Sequence, residues 1–219
     1  MKKFVLLLIL CASIGCANAA TISYSDTAPV QLTYWSQILT LDKFDPTLGN
    51  LLSVTWELTG HVEGATSFES RDAQPATVTT TLGAILSLYR MDSSLIVAAS
   101  PSVSTSDGVT AYDGTIDFGG GSGRAHPGLS ATKVESVAFT DPPDDLSAYI
   151  GSGTFNVTAT GSGNSFGSGA GNLILMFQTS GSSVAKVTYE YTPVPEPSAL
   201  GALASGLLSL MGLVRYRRR

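Results

Sequence analysis

Few side chains in this chain could carry chemistry. Among 219 residues there are two histidines, two cysteines and 17 acidic groups. His61 follows Gly60, and His126 lies in Gly-Arg-Ala-His-Pro-Gly. Both read as solvated loop residues. Neither is expected to have a metal-ligand partner two or four positions on, so no zinc site is assigned. The acids cluster twice, as Asp107, Asp113 and Asp117 and as Asp141, Asp144 and Asp145. A calcium ion prefers such oxygen ligands, but neither group has EF-hand spacing or a nonapeptide calcium repeat. Turn acids are the expected role, with no metal and no cofactor. A glycosidase would need two carboxylates at a set separation in a cleft, which spacing along the chain cannot supply. Gly161-Ser162-Gly163 and Gly167-Ser168-Gly169 read as loop rather than nucleophile elbow. Gly119 to Gly123 lacks the Gly-Lys-Ser/Thr of a phosphate loop. No catalytic residue is assigned. Tyr112 and Tyr149, in loop-like settings, are the aromatic candidates for stacking on sugars. Asn156-Val157-Thr158 fits a glycosylation acceptor and reads as coincidence.

Strands must position these groups. Residues 52–59 alternate, with Leu52, Val54, Trp56 and Leu58 on one face and Ser53, Thr55, Glu57 and Thr59 on the other. A period of two is the signature of a half-buried strand. Residues 155–160 alternate likewise, as do 184–191, with Ala185, Val187, Tyr189 and Tyr191 together. Val78, Thr80, Leu82, Ala84, Leu86 and Leu88 continue the pattern, and the β-branched run at 77–81 favours strand over helix. Residues 30–41 read as one strand with a bulge near Trp35-Ser36. Residues 173–177, apolar on both faces, suit a central, doubly covered strand. Weaker strands are expected at 68–71, 95–99, 114–118 and 134–139. Turns are expected at Asp107-Gly108, Asp113-Gly114, 119–123, 141–144 and 161–171, and at Phe44-Asp45-Pro46, where Asp45 can accept backbone hydrogen bonds. About ten short strands predict an all-β fold, an antiparallel β-sandwich or jelly-roll-like domain.

The two ends differ in kind from this body. Residues 1–19 have the layout of a signal peptide: Lys2-Lys3, an apolar run over 4–10, and Ala17-Asn18-Ala19 before a cut that leaves Ala20 first. Both cysteines, Cys11 and Cys16, fall in that segment. A competing reading makes Cys16 a lipidated residue. The mature chain then offers no thiol nucleophile or thiolate ligand. Six of the 12 basic residues belong to the two ends, which leaves six against 17 acids and −11 on residues 20–197. Such a charge argues against nucleic acid as a partner. Val194-Pro195-Glu196-Pro197 is followed by an uncharged apolar run over 198–214 and then by Arg215-Tyr216-Arg217-Arg218-Arg219. As a helix the run would extend roughly 25 Å, near the lower limit for a transmembrane helix. Arg215, Arg217, Arg218 and Arg219 would hold its end on the cytoplasmic side. Residues 192–197 read as a short linker.

The order motif, helix, basic terminus resembles the PEP-CTERM sorting signal of Gram-negative bacteria, carried here by residues 193–219. That resemblance implies that an exosortase, a membrane-embedded protease or transpeptidase, takes this chain as substrate and cuts near the motif. Residues 36–54, with Phe44-Asp45-Pro46-x-Leu48-Gly49 at their centre, are similar to the opening of a choice-of-anchor E domain. Residues 153–158 and 187–191 look similar to its closing strands. That second resemblance implies an extracellular domain at 20–192 and carries over no catalytic residue. Together they lead to the expectation of an exported, non-enzymatic protein of the cell surface or biofilm matrix. It would be anchored in the inner membrane in transit, with exopolysaccharide as a further partner. A carbohydrate-binding or adhesin module and a secreted hydrolase with an acidic site are the alternatives.

Overall fold

The computed structural model describes residues 19–194 together with Gly206, Arg215 and Tyr216, which are helical. The segment up to residue 18, where a signal peptide is expected, lies outside the described residues. So do Pro195, Glu196, Pro197, Arg217, Arg218, Arg219 and most of the 198–214 run. Among the described residues no helix is long and apolar enough to cross a membrane.

The body is all β and antiparallel, and two strands set its length. β3 (Gly49–Ser70) has 22 residues and β10 (Leu173–Pro193) has 21. They pair from Gly49 with Pro193 to Ser70 with Leu173. At about 3.3 Å per residue this ladder runs roughly 65–70 Å before twist. The two-residue period explains which faces are covered. Val54, Trp56, Leu58 and Val62 of β3 and Ala185, Val187 and Tyr189 of β10 are buried, while the hydroxyls between them stay half-exposed.

β1 (Ala20–Leu32) and β7 (Gly123–Thr140) flank this pair, giving the order β1-β10-β3-β7. The opposing sheet runs β2 (Trp35–Asp42), β8 (Thr154–Gly163), β4 (Ala76–Tyr89), β5 (Leu95–Ala99). β4 serves two sets of partners. Residues 84–89 meet β5 and β8, and residues 76–83 meet β6 (Ser102–Val109) and the short β9 (Phe166–Ser168). The core between the sheets falls into three clusters along the long axis. The largest holds Leu39, Phe44, Trp56 and Tyr189, the middle one Val62, Leu82 and Leu86, and the last Phe68, Val78 and Val109. Trp56 meets Phe155 edge-on at 5.8 Å, and removing so large a buried ring costs about 3–5 kcal/mol. Among the described residues every strand lies within residues 20–193, and the three core clusters fall within the same bounds.

Several expectations are corrected. The strand expected at 30–41 is two strands in different sheets. Tyr34 takes a left-handed φ of 74° and redirects the chain there, whereas the bulge of β1 lies between Ala28 and Gln31. Leu52 is exposed, because the register shifts between Glu190 and Tyr191 and leaves it out of the pairing. Gly60-His61 is not a turn but mid-strand. A Cβ on Gly60 would sit 2.7 Å from Leu86 Cδ1, so glycine is there because the sheets approach closely. Asp107-Gly108 lies in β6, His126 in β7, and 114–118 forms no strand. Residues 173–177 are not doubly covered: β10 pairs with β1 only from Ser180 onward, and Met176 is 54% exposed. Thr192 and Pro193 are not linker, since both pair with β3.

Candidate functional site

The residues singled out at the two ends of the body meet at one end of the sandwich. After β2 the chain turns through Phe44-Asp45-Pro46. Phe44 is buried against Tyr189 and Tyr191. Asp45 Oδ1 accepts the Thr47 N–H at 2.9 Å, and the Asp45 carbonyl accepts the Leu48 N–H at 3.1 Å. The Thr47 hydrogen bonds hold the Asp45 carboxyl below its ordinary range. Leu48 in turn accepts the N–H of Val194 at 3.1 Å. Beside it, Gly49 packs so tightly that a Cβ would collide with the Thr192 carbonyl. Below this turn the Tyr189 hydroxyl donates to the Asp42 carbonyl at 2.9 Å, and burial pushes its pKa up. Ala20 stands opposite Tyr191. The first residue of the body and its last therefore sit on neighbouring strands, about 4.8 Å apart between ladders. Ala19 and Val194 are exposed, as is Arg215. Ala17 and the Pro-Glu-Pro residues lie outside the described residues.

The histidines are strand residues with partners. His126 Nε2 lies 2.8 Å from Asp107 Oδ2, joining β7 to β6 across the open edge of the sandwich. His61 Nδ1 meets Thr132 Oγ1 at 2.9 Å, and its Nε2 meets Glu63 Oε2 at 3.3 Å. Glu63, two positions on, is thus the partner that the sequence reading did not expect. Four of the other clustered acids serve their own turns. Asp113 accepts the N–H groups of Thr115 and Gly121, Asp117 that of Gly119, Asp144 that of Thr140 and Asp145 that of Ser147. These bonds hold Asp113 and Asp145 below the usual carboxylate range. Among the described residues no group of three His, Cys, Asp or Glu could hold a metal ion. Tyr149 is a core residue rather than a loop platform. Its ring packs on Trp56 and Phe155 and its buried hydroxyl has no protein partner. Tyr112 is half-buried beneath the Arg71 guanidinium at 5.9 Å.

Two features had no sequence signal. Glu69 is fully buried although it points away from the core side of β3. Ser122 Oγ donates to its Oε1 at 2.5 Å and the Phe118 N–H to its Oε2 at 2.9 Å. The loop over 110–122 folds across the outer face and is pinned by this carboxylate, and strand alternation cannot announce a loop that arrives from 50 residues away. The second feature is a groove of about 360 Å³ where β1 leaves β10, lined by Leu32, Tyr34, Ser165, Phe177, Gln178 and Thr179.

No family model matches the chain, and no curated protein matches it. Among solved structures, a capsid chain of infectious bursal disease virus, Gt strain, aligns at 12% identity and a TM-score of 0.11, covering 90% of this chain and 49% of its own. The T13 particle of the same virus aligns at 12% identity and a TM-score of 0.15, covering 81% and 40%. The chain spans about half the length or less of these viral proteins, and likenesses this low carry no argument about fold or function.

Proposed function

We propose that this chain is an exported, non-enzymatic surface or matrix protein whose C-terminal tail is a sorting signal for an exosortase. In this reading residues 1–19 are removed as a signal peptide. The 198–214 helix holds the precursor in the inner membrane, and Arg215, Arg217, Arg218 and Arg219 stay on the cytoplasmic side. One observation carries the reading. Ala20 and Val194 leave the sandwich from adjacent strands at the same end. A precursor held in a membrane by both ends is well served by that geometry, because both membrane segments can then leave the body on one side. Among the described residues the core clusters all lie before the motif, so cutting near it would leave those clusters untouched. Its cysteine-free composition suits export, and −11 on residues 20–197 suits a solvated layer.

The test replaces Pro195, Glu196 and Pro197 by alanine in the full chain. The variant is expected to accumulate at precursor mass in the membrane fraction, while the parent chain is shortened and leaves it. If mature mass and location are the same for both, the sorting reading fails.

A further inference from the structure

Among the described residues, one side of β10 has no neighbouring strand along residues 173–178. β1 makes its last ladder pair at Leu32 with Ser180, and the Thr33 N–H reaches the Thr179 carbonyl at 3.1 Å. Before that point in the chain β10 pairs with β3 alone. The segment reads Leu-Ile-Leu-Met-Phe-Gln, with no charge, proline or glycine. Leu173 and Leu175 pack on the cluster of Phe68 and Val78, and Ile174 and Met176 alternate to the outer face. On the free side, every second residue directs its N–H and C=O away from β3, a ready template for another strand.

Several other edges carry guards, and the eight-residue edge strand β6 is polar apart from Val103 and Val109. β1 carries Pro29 and the register shift between Ala28 and Gln31. β7 carries Pro127, Lys133 and a shift near Gly128. The Thr40 N–H of β2 is taken by Asp26 Oδ2 at 2.8 Å. β5 and β9 have five and three residues. Such devices normally stop sheets from joining edge to edge, and residues 173–178 have none.

We infer that this free side of β10 is a homodimer seam, where a second copy pairs antiparallel about a two-fold axis. Charge selects the occupant. Two bodies of net negative charge repel one another, but here a second copy brings an uncharged, apolar segment to an identical one. The pairing is self-complementary, as a two-fold contact requires. With Leu175 opposite its own copy, Ile174 faces Met176 on the outer side and Leu173 faces Phe177 on the inner side, so each residue keeps its face. The same register sets the exposed Leu32–Tyr34 corner of each copy, with Tyr34 83% exposed, beside Gly171 and Asn172 of the other. Across the seam, β7, β3 and β10 of one copy then continue into β10, β3 and β7 of the other, with each β1 ending short of it. The seam exists whether or not the tail is a sorting signal.

Sedimentation of residues 20–194 at concentrations on the order of 100 µM is expected to show a dimer. Met176→Lys, alone and with Ile174→Lys, places charge on the outer face of the seam without entering the core. Both variants are expected to weaken dimerisation at least about ten-fold, with an unchanged unfolding midpoint at dilutions where all are monomers. In the full chain carrying Cys11→Ser and Cys16→Ser, oxidation of a mixture of Ile174→Cys and Met176→Cys copies is expected to give a covalent heterodimer. A Ser130→Cys control on β7 is expected to give none. A monomer at the higher concentration, a dimer indifferent to the lysines, or no mixed disulfide each overturns the seam.

Discussion

Two buried tyrosines of the large core cluster differ in one respect that decides what their hydroxyls do. Tyr189 donates to the Asp42 carbonyl, whereas the Tyr149 hydroxyl has no protein partner. Tyr189→Phe leaves a carbonyl unpaired and is expected to cost about 1 kcal/mol. Tyr149→Phe removes an unmatched polar atom and is expected to be neutral or stabilising within about 0.5 kcal/mol, measured by urea unfolding of both. The same contrast extends to alkaline pH. Burial, followed by the nearby Tyr149, Tyr24 and Asp42, raises the Tyr189 pKa in the folded protein. The folded state therefore keeps its proton longer than the unfolded chain. The stability this provides is complete below the ordinary tyrosine value of about 10 and is lost as pH rises beyond it. Tyr189→Phe should flatten that alkaline decline, and an unchanged slope above pH 10 would contradict it.

At the level of strands, alternation was readable wherever one face is packed and the other wet. Ala185-x-Val187-x-Tyr189-x-Tyr191 and Val78 to Leu88 fall as their patterns predict. Strand length was not readable, because glycines inside β3 look like stops. Gly60 is required by the nearness of Leu86 rather than by a bend, and the strand runs on through His61 and Glu69 to Ser70. The candidate site was legible only in part. Phe44-Asp45-Pro46 is visible as a turn, but the bond that the following Leu48 carbonyl accepts from Val194 depends on a strand arriving from the other end of the chain. Gly49 is the tight point of that junction. Gly49→Ala is expected to cost about 1–3 kcal/mol through its collision with Thr192. Hydrogen exchange should rise at residues 190–194 and stay level in β4. Uniform loosening, or none, would show that Gly49 does not hold the exit.

For the molecule as a whole, the placement of its ends outweighs any single contact. Ala20 and Val194 share one end, and the His126–Asp107 pair, the Glu69-pinned loop and the unguarded edge of β10 gather toward the other. Along β10 the distance from exit to edge is roughly 50–60 Å at strand rise. If the C-terminal end is the attached one, the far features stand clear of whatever holds it.

That layout has a mechanical consequence. Tension between Ala20 and Val194 pulls on two antiparallel neighbours from the same end, so β1 peels from β10 one pair at a time. Tension between Val194 and Ser70, at the opposite end of β3, loads the whole β3–β10 ladder along its length, and its 21 paired positions must slide together. Single-molecule pulling through those two attachment pairs is expected to give a distinctly higher rupture force in the second geometry. Comparable forces would mean that the long ladder does not act as one unit. A body held by its C-terminal end and loaded at its far end would thus meet force along its most resistant direction.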